Sequence, residues 1–84
     1  MDLIFSTQAW SDYVYWQSSD KKTVKKIKQL LKAVLQNPYG GIGKPEQLKY
    51  QLQGYWSRRI DLEHRLVYKV SGGQLIIISC RYHY

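Results

Sequence analysis

Eighty-four residues with a net charge of +7 are expected to form one small domain, 1–84, that buries roughly 60% of its unfolded surface. A hydrophobic content of 44% in alternating and helical patterns argues against disorder, and no stretch approaches the ~20 apolar residues of a membrane span. The lone Cys80 excludes an internal disulfide, and one Cys with two His, His64 and His83, argues against a zinc cage.

The basic balance, with a pI near 9.6, points to a polyanionic partner: nucleic acid, a membrane surface or an acidic protein. Three Trp, eight Tyr and one Phe add stacking surface, which favours RNA over a lipid headgroup. The N-terminal apolar run Leu3-Ile4-Phe5 follows Asp2 and is too short for a signal peptide. A reduced, cytoplasmic setting with no membrane partner is therefore expected.

In chain order, Leu3-Ile4-Phe5 reads as a short buried strand. Ser6 or Thr7 can cap a first helix to about Ser18. Trp10, Tyr13 and Val14 recur at helical spacing and are expected in the core, which leaves Tyr15 and Trp16 outside it for a protein contact. Asp20 is a good N-cap for a second helix, Lys21 to about Gln36. There Val24, Ile27, Leu30, Leu31, Val34 and Leu35 form a 3.6-period stripe. Lys21, Lys22, Lys25, Lys26, Lys28 and Lys32 cover the remaining surface, a solvated face or a phosphate contact. Asn37-Pro38 ends this helix. Residues 39–45 form a Gly/Pro loop without P-loop spacing, read as turning the chain over the sheet, and Leu48 anchors the segment that follows.

Three strand-like runs complete the chain: Tyr55–Ile60, Arg65–Val70 and Leu75–Tyr82. Alternation puts Leu66, Tyr68 and Val70 on one face of their strand, and Ile76, Ile78 and Cys80 on one face of theirs. Both sets face one core if Ser71-Gly72-Gly73 is a three-residue loop, and the same parity joins Ile60 to Leu66 through Leu62-Glu63-His64. The opposite face then carries Arg59, Asp61, Arg65, Lys69, Arg81 and His83. Such a face is either the wet side of an antiparallel sheet or built for an anion.

Glu46 stands alone among the acids between Asp20 and Asp61. It is either a loop carboxylate paired with Lys44 or Lys49, or a general base. His83, near the C-terminus, is either in a frayed tail or pinned by the preceding strand, and His64 reads as structural or solvated. A carboxylate, an imidazole and several fixed cations suit cleavage of RNA through its own 2′-hydroxyl, which needs a base, an acid and charge stabilisation of the phosphorane.

Beyond these readings, the chain resembles the YoeB branch of the RelE superfamily of bacterial toxins. The likeness rests on Trp10-Ser11-Asp12-Tyr13, Tyr15-Trp16, Gly43-Lys44-Pro45-Glu46 and Leu48-Lys49. It continues through Gly54-Tyr55-Trp56-Ser57-Arg58-Arg59-Ile60, Glu63-His64-Arg65-Leu66-Val67-Tyr68 and the tail Cys80-Arg81-Tyr82-His83-Tyr84. The resemblance implies an α+β, RelE-like β-α-α-β-β-β fold, with an N-terminal strand and two helices packed on one face of a mostly antiparallel sheet. It also implies a toxin that enters the ribosomal A site, contacts rRNA, cuts mRNA without a metal or other cofactor, and is held inactive by a cognate antitoxin. Carried over by position, Glu46 is the general base, His83 the general acid and Arg65 the phosphate-stabilising cation. Lys49 and Arg59 support Arg65, and Tyr84 positions substrate. Tyr50 stands where the resemblance leads to histidine.

Two other readings stay open. One is a same-fold toxin acting on DNA gyrase, a branch that lacks this acid–base set. The other is a non-catalytic RNA- or ribosome-binding module. Tyr15, Trp16 and the basic helix serve a homodimer as well as an antitoxin contact.

Overall fold

Capping decides where the two helices begin. The computed structural model describes residues 1–82. In it Ser6 Oγ accepts the Ala9 N–H at 3.0 Å and opens α1 (Thr7–Ser19). Asp20 accepts from the Lys22 and Thr23 N–H groups and the Thr23 hydroxyl to open α2 (Lys21–Gln36). These bonds, the Thr23 hydroxyl first, hold the Asp20 carboxyl below its ordinary range. Asn37 ends α2, with its N–H on Ala33 O.

The expected stripe of α2 is the buried one: Ile27, Leu30, Leu31 and Val34 are buried, Val24 partly so, and only Leu35 is exposed. Burying each such side chain contributes roughly 1.5–3 kcal/mol. Repulsion between Lys21 and Lys25, Lys22 and Lys26, or Lys28 and Lys32 costs only about 0.2–0.5 kcal/mol per pair. Burial therefore wins, and the lysines are carried along on the outside.

The strands are β1 (Asp2–Phe5), β2 (Glu46–Gln47), β3 (Trp56–Arg59), β4 (Arg65–Ser71) and β5 (Gln74–Ser79). They form one mixed sheet in the order β1-β5-β4-β3-β2, with β1 parallel to β5 and the other pairs antiparallel. Both helices contribute to a core that includes Leu66, Tyr68, Leu75 and Ile77 from one sheet face. The fold is thus α+β as expected, with the two-residue β2 added at the edge.

Leu3 and Ile4 of β1 are exposed rather than buried as expected, and three further expectations about facing are corrected. In α1 the buried residues are Ala9, Asp12 and Trp16, whereas Trp10 is 56% exposed and Val14 is exposed too. The Trp16 indole N–H donates to Cys80 O at 2.9 Å, and Asp12 accepts the Cys80 N–H at 2.9 Å and the Gln8 amide at 2.8 Å. A carboxylate thus shares the core face because its acceptors are filled. Trp16 is a core residue, and of the expected contact pair only Tyr15 is exposed.

In β5 the residues in the core are Leu75 and Ile77, not Ile76 and Ile78. The hairpin is a two-residue turn, Gly72-Gly73, with φ of +55° and +76° and Ser71 paired to Gln74. An irregularity where Val67 pairs Ser79 and Tyr68 pairs Ile77 leaves Ile78 as the extra residue. That residue resets the alternation and returns Cys80 to the core. There burial, with Asp12 adding to it, pushes the thiol up to about 12. The third run also stops early: β5 ends at Ser79, and Tyr82 bends the chain with φ of +65°.

The 37–43 loop folds around Arg58. Its guanidinium donates to Asn37 O at 2.5 Å, Gly40 O at 2.7 Å and Ile42 O at 2.9 Å, and its Nε to the Tyr68 hydroxyl at 3.1 Å. That hydroxyl donates in turn to Pro38 O at 2.6 Å. Gly43 closes the loop against β3, accepting the Arg59 N–H at 2.7 Å. A Cβ there would meet Leu30 at 2.7 Å and Arg58 at 3.1 Å, at a φ of +85°.

Candidate functional site

The sheet face turned away from the helices gathers the polar groups. Directly paired residues share a face, so the pairings Glu46 with Ser57, Ser57 with Val67, and Val67 with Ser79 run one row across four strands. The adjacent pair, Arg59 and Arg65, sits beside that row. β2 exists because Leu48 is buried and donates its N–H to Tyr55 O, which draws the preceding Glu46-Gln47 alongside β3.

Glu46 Oε2 lies 3.6 Å from Arg65 Nη1. The Arg65 side chain is only 15% exposed and Glu46 is 56% exposed. At that distance the contact is an ion pair, between a largely buried guanidinium and an exposed carboxylate, rather than a tight hydrogen bond. The exposed carboxylate is held near the guanidinium without being locked to it. Arg59 is exposed beside them. Lys49 is exposed and begins the 3₁₀ turn Tyr50–Leu52. Residues 46–52 line an open groove of about 430 Å³ that brings Glu46 and Lys49 into one concavity. Tyr50 stands almost fully exposed there, with φ of +58°.

Of the other members of the expected cationic face, Lys69, four residues from Arg65 in β4, shares that face as expected, while Asp61 and Arg81 are placed elsewhere. Lys69 lies 5.2 Å over the Tyr55 ring. Asp61 caps its own loop, accepting the Glu63 and His64 N–H groups at 2.8 and 2.7 Å. The Arg81 guanidinium stacks 3.4 Å over Tyr15 of α1 and 4.5 Å from the Tyr82 ring, because the strand has already ended. His64 is buried beside Trp16, in line with the structural reading. His83 and Tyr84 lie outside the described residues, so the structure brings together Glu46, Arg65, Arg59 and Lys49 from the expected set.

Sequence reasoning passed over Arg58. The signal was available: the alternation that sends Arg59 to the open face sends Arg58 to the face of Leu66 and Tyr68. A guanidinium there without an acid needs carbonyl acceptors, which a glycine-rich loop supplies.

A family model for YoeB-like toxins of bacterial type II toxin–antitoxin systems matches residues 5–84. Toxin YoeB of Escherichia coli (strain K12) is 56% identical over 84 residues, covering all of both chains. A YoeB/ParE toxin from Agrobacterium tumefaciens superposes over all of both chains with a TM-score of 0.98 and 48% identity. YoeB from Staphylococcus aureus is 55% identical, with all of this chain and 98% of that one covered. It aligns with a TM-score of 0.92 as a dimer and 0.91 in a heterotetrameric YoeB–YefM toxin–antitoxin complex.

Proposed function

The chain belongs to the YoeB-like toxins of bacterial type II toxin–antitoxin systems, and from that premise we propose that it is a ribosome-dependent endoribonuclease cutting mRNA in the A site. The observation that carries this reading is the Glu46–Arg65 pair, 3.6 Å apart on the helix-free face, with Arg59 opposite Arg65. Glu46 takes the proton from the 2′-hydroxyl, whose oxygen attacks the adjacent phosphorus. Arg65, supported by Arg59 and Lys49, stabilises the charge that develops on the phosphoryl oxygens. The P–O5′ bond breaks, His83 gives a proton to the leaving 5′-oxygen, and a 2′,3′-cyclic phosphate remains. Tyr84 helps to position the substrate.

An exposed base gains from a second body that presents the codon in line, which is the physical case for ribosome dependence. The lysines on the outside of α2 are suited to grip rRNA. The S. aureus complex supports a cognate antitoxin as partner and the S. aureus dimer supports a homodimer. No helix among the described residues is long and apolar enough to cross a membrane, and the reading places the protein in the bacterial cytoplasm.

The test is a map of new mRNA 5′ ends in a reconstituted translation reaction, with a ribosome-free lane alongside. Cuts confined to the A-site codon and absent without ribosomes are expected. Equal cutting in both lanes overturns the ribosome dependence. Full toxicity of both Glu46→Ala and His83→Ala overturns the acid–base assignment.

A further inference from the structure

The loop between β3 and β4 places a buried histidine where the proposed chemistry has not used one. The His64 ring stands edge-on to Trp16 at 4.7 Å and packs against Tyr82 at 5.7 Å. Its Nδ1 accepts the Tyr82 backbone N–H at 2.7 Å, which leaves the ring proton on Nε2, facing Glu63 Oε1 at 3.5 Å. The next residue, Arg65, donates its backbone N–H to Tyr82 O at 3.1 Å. One dipeptide therefore grips both backbone polar groups of Tyr82. That grip holds a tyrosine at φ of +65°, a conformation bulky residues adopt only when their surroundings impose it.

The geometry points to His64 as a positioning residue for the nuclease: by fixing Tyr82, it sets where the segment bearing His83 begins relative to Arg65. The inference rests on the reading of His83 as general acid. The same dipeptide carries the Arg65 guanidinium toward Glu46, so one short stretch ties Tyr82 to the residue that binds phosphate in that reading. Proton transfer needs this precision, since a displacement of ~1 Å costs on the order of 10²-fold in rate. Filling space beside Trp16 needs only a ring, whereas holding Tyr82 needs an acceptor.

Three variants separate those two needs. His64→Phe keeps an aromatic ring and removes the acceptor. His64→Asn and His64→Leu are close in shape, and the first retains an acceptor. Cleavage on programmed ribosomes gives kcat and KM for each, with thermal unfolding midpoints measured in parallel. H64F is expected to lower kcat about 10²-fold with KM within about two-fold, and H64N to cut about ten-fold faster than H64L. Wild-type cleavage by H64F, or equal rates for H64N and H64L, overturns the inference. If H64F does not fold, the Asn/Leu pair decides alone. A wild-type protein that leaves mRNA intact brings down the nuclease reading and this inference together. A wild-type protein that cuts, with variants that match it, brings down the inference only.

Discussion

Arg58 and Arg59 are consecutive in the chain and have opposite fates. Arg58 is fully buried on the helix side, with three carbonyls and a tyrosine hydroxyl around its guanidinium. Arg59 is exposed on the other side, opposite Arg65. The same side chain thus organises a loop in one place and offers charge to a ligand in the next, and strand alternation alone separates the roles. The helix side is dense and saturated with hydrogen bonds. The open side sets an exposed Glu46 3.6 Å from Arg65 and leaves Arg59 facing solvent.

The contrast breaks most decisively at Arg58. Arg58→Ala leaves the Asn37, Gly40 and Ile42 carbonyls without their donor and is expected to lower the unfolding free energy by about 3 kcal/mol or more, read by urea melts. A variant as stable as wild type would show that the loop does not depend on it. Arg65→Ala is expected to fold normally yet lose about 10²–10³-fold in cleavage rate, measured on programmed ribosomes. Loss of folding instead would make Arg65 a structural residue and erase the contrast. Trp16→Phe keeps the ring volume in large part and removes the bond to Cys80 O, for an expected loss of about 1 kcal/mol by thermal melts. Arg59→Ala sharpens the comparison at its weak end: stability within about 0.5 kcal/mol of wild type, with cleavage slowed a few-fold.

How far these sides were legible from sequence follows from the same physics. The α2 boundaries and stripe could be read because a 3.6-residue period, an Asp cap and an Asn-Pro stop all agree. The face of α1 could not, because Trp10 and Val14 advertise a core they do not enter, while Asp12 hides in one through its hydrogen bonds. Parity along β5 failed at one residue. Cys80 is in the core, and counting back in twos from it selects Ile76 and Ile78, which holds only for a strand without a bulge. On the open face, alternation placed Arg59 and Arg65 together. It overreached at Asp61 and Arg81, which lie beyond the strand ends. Glu46 was legible as an isolated acid. Its placement next to Arg65 depends on β2, whose two residues carry no periodicity to read.

The parallel pairing of β1 with β5 ties the first residues of the chain to nearly the last. Ser6 Oγ on Ile78 O and Asp12 on the Cys80 N–H fasten the same two ends. Such a sheet closes only after its final strand is free to pair, since contacts of this sequence separation form late. While the chain is being made, β1 and α1 wait without their partner strand, and the core around Cys80 stays open. The consequence is an order of assembly: the first strand to be made is among the last to be paired.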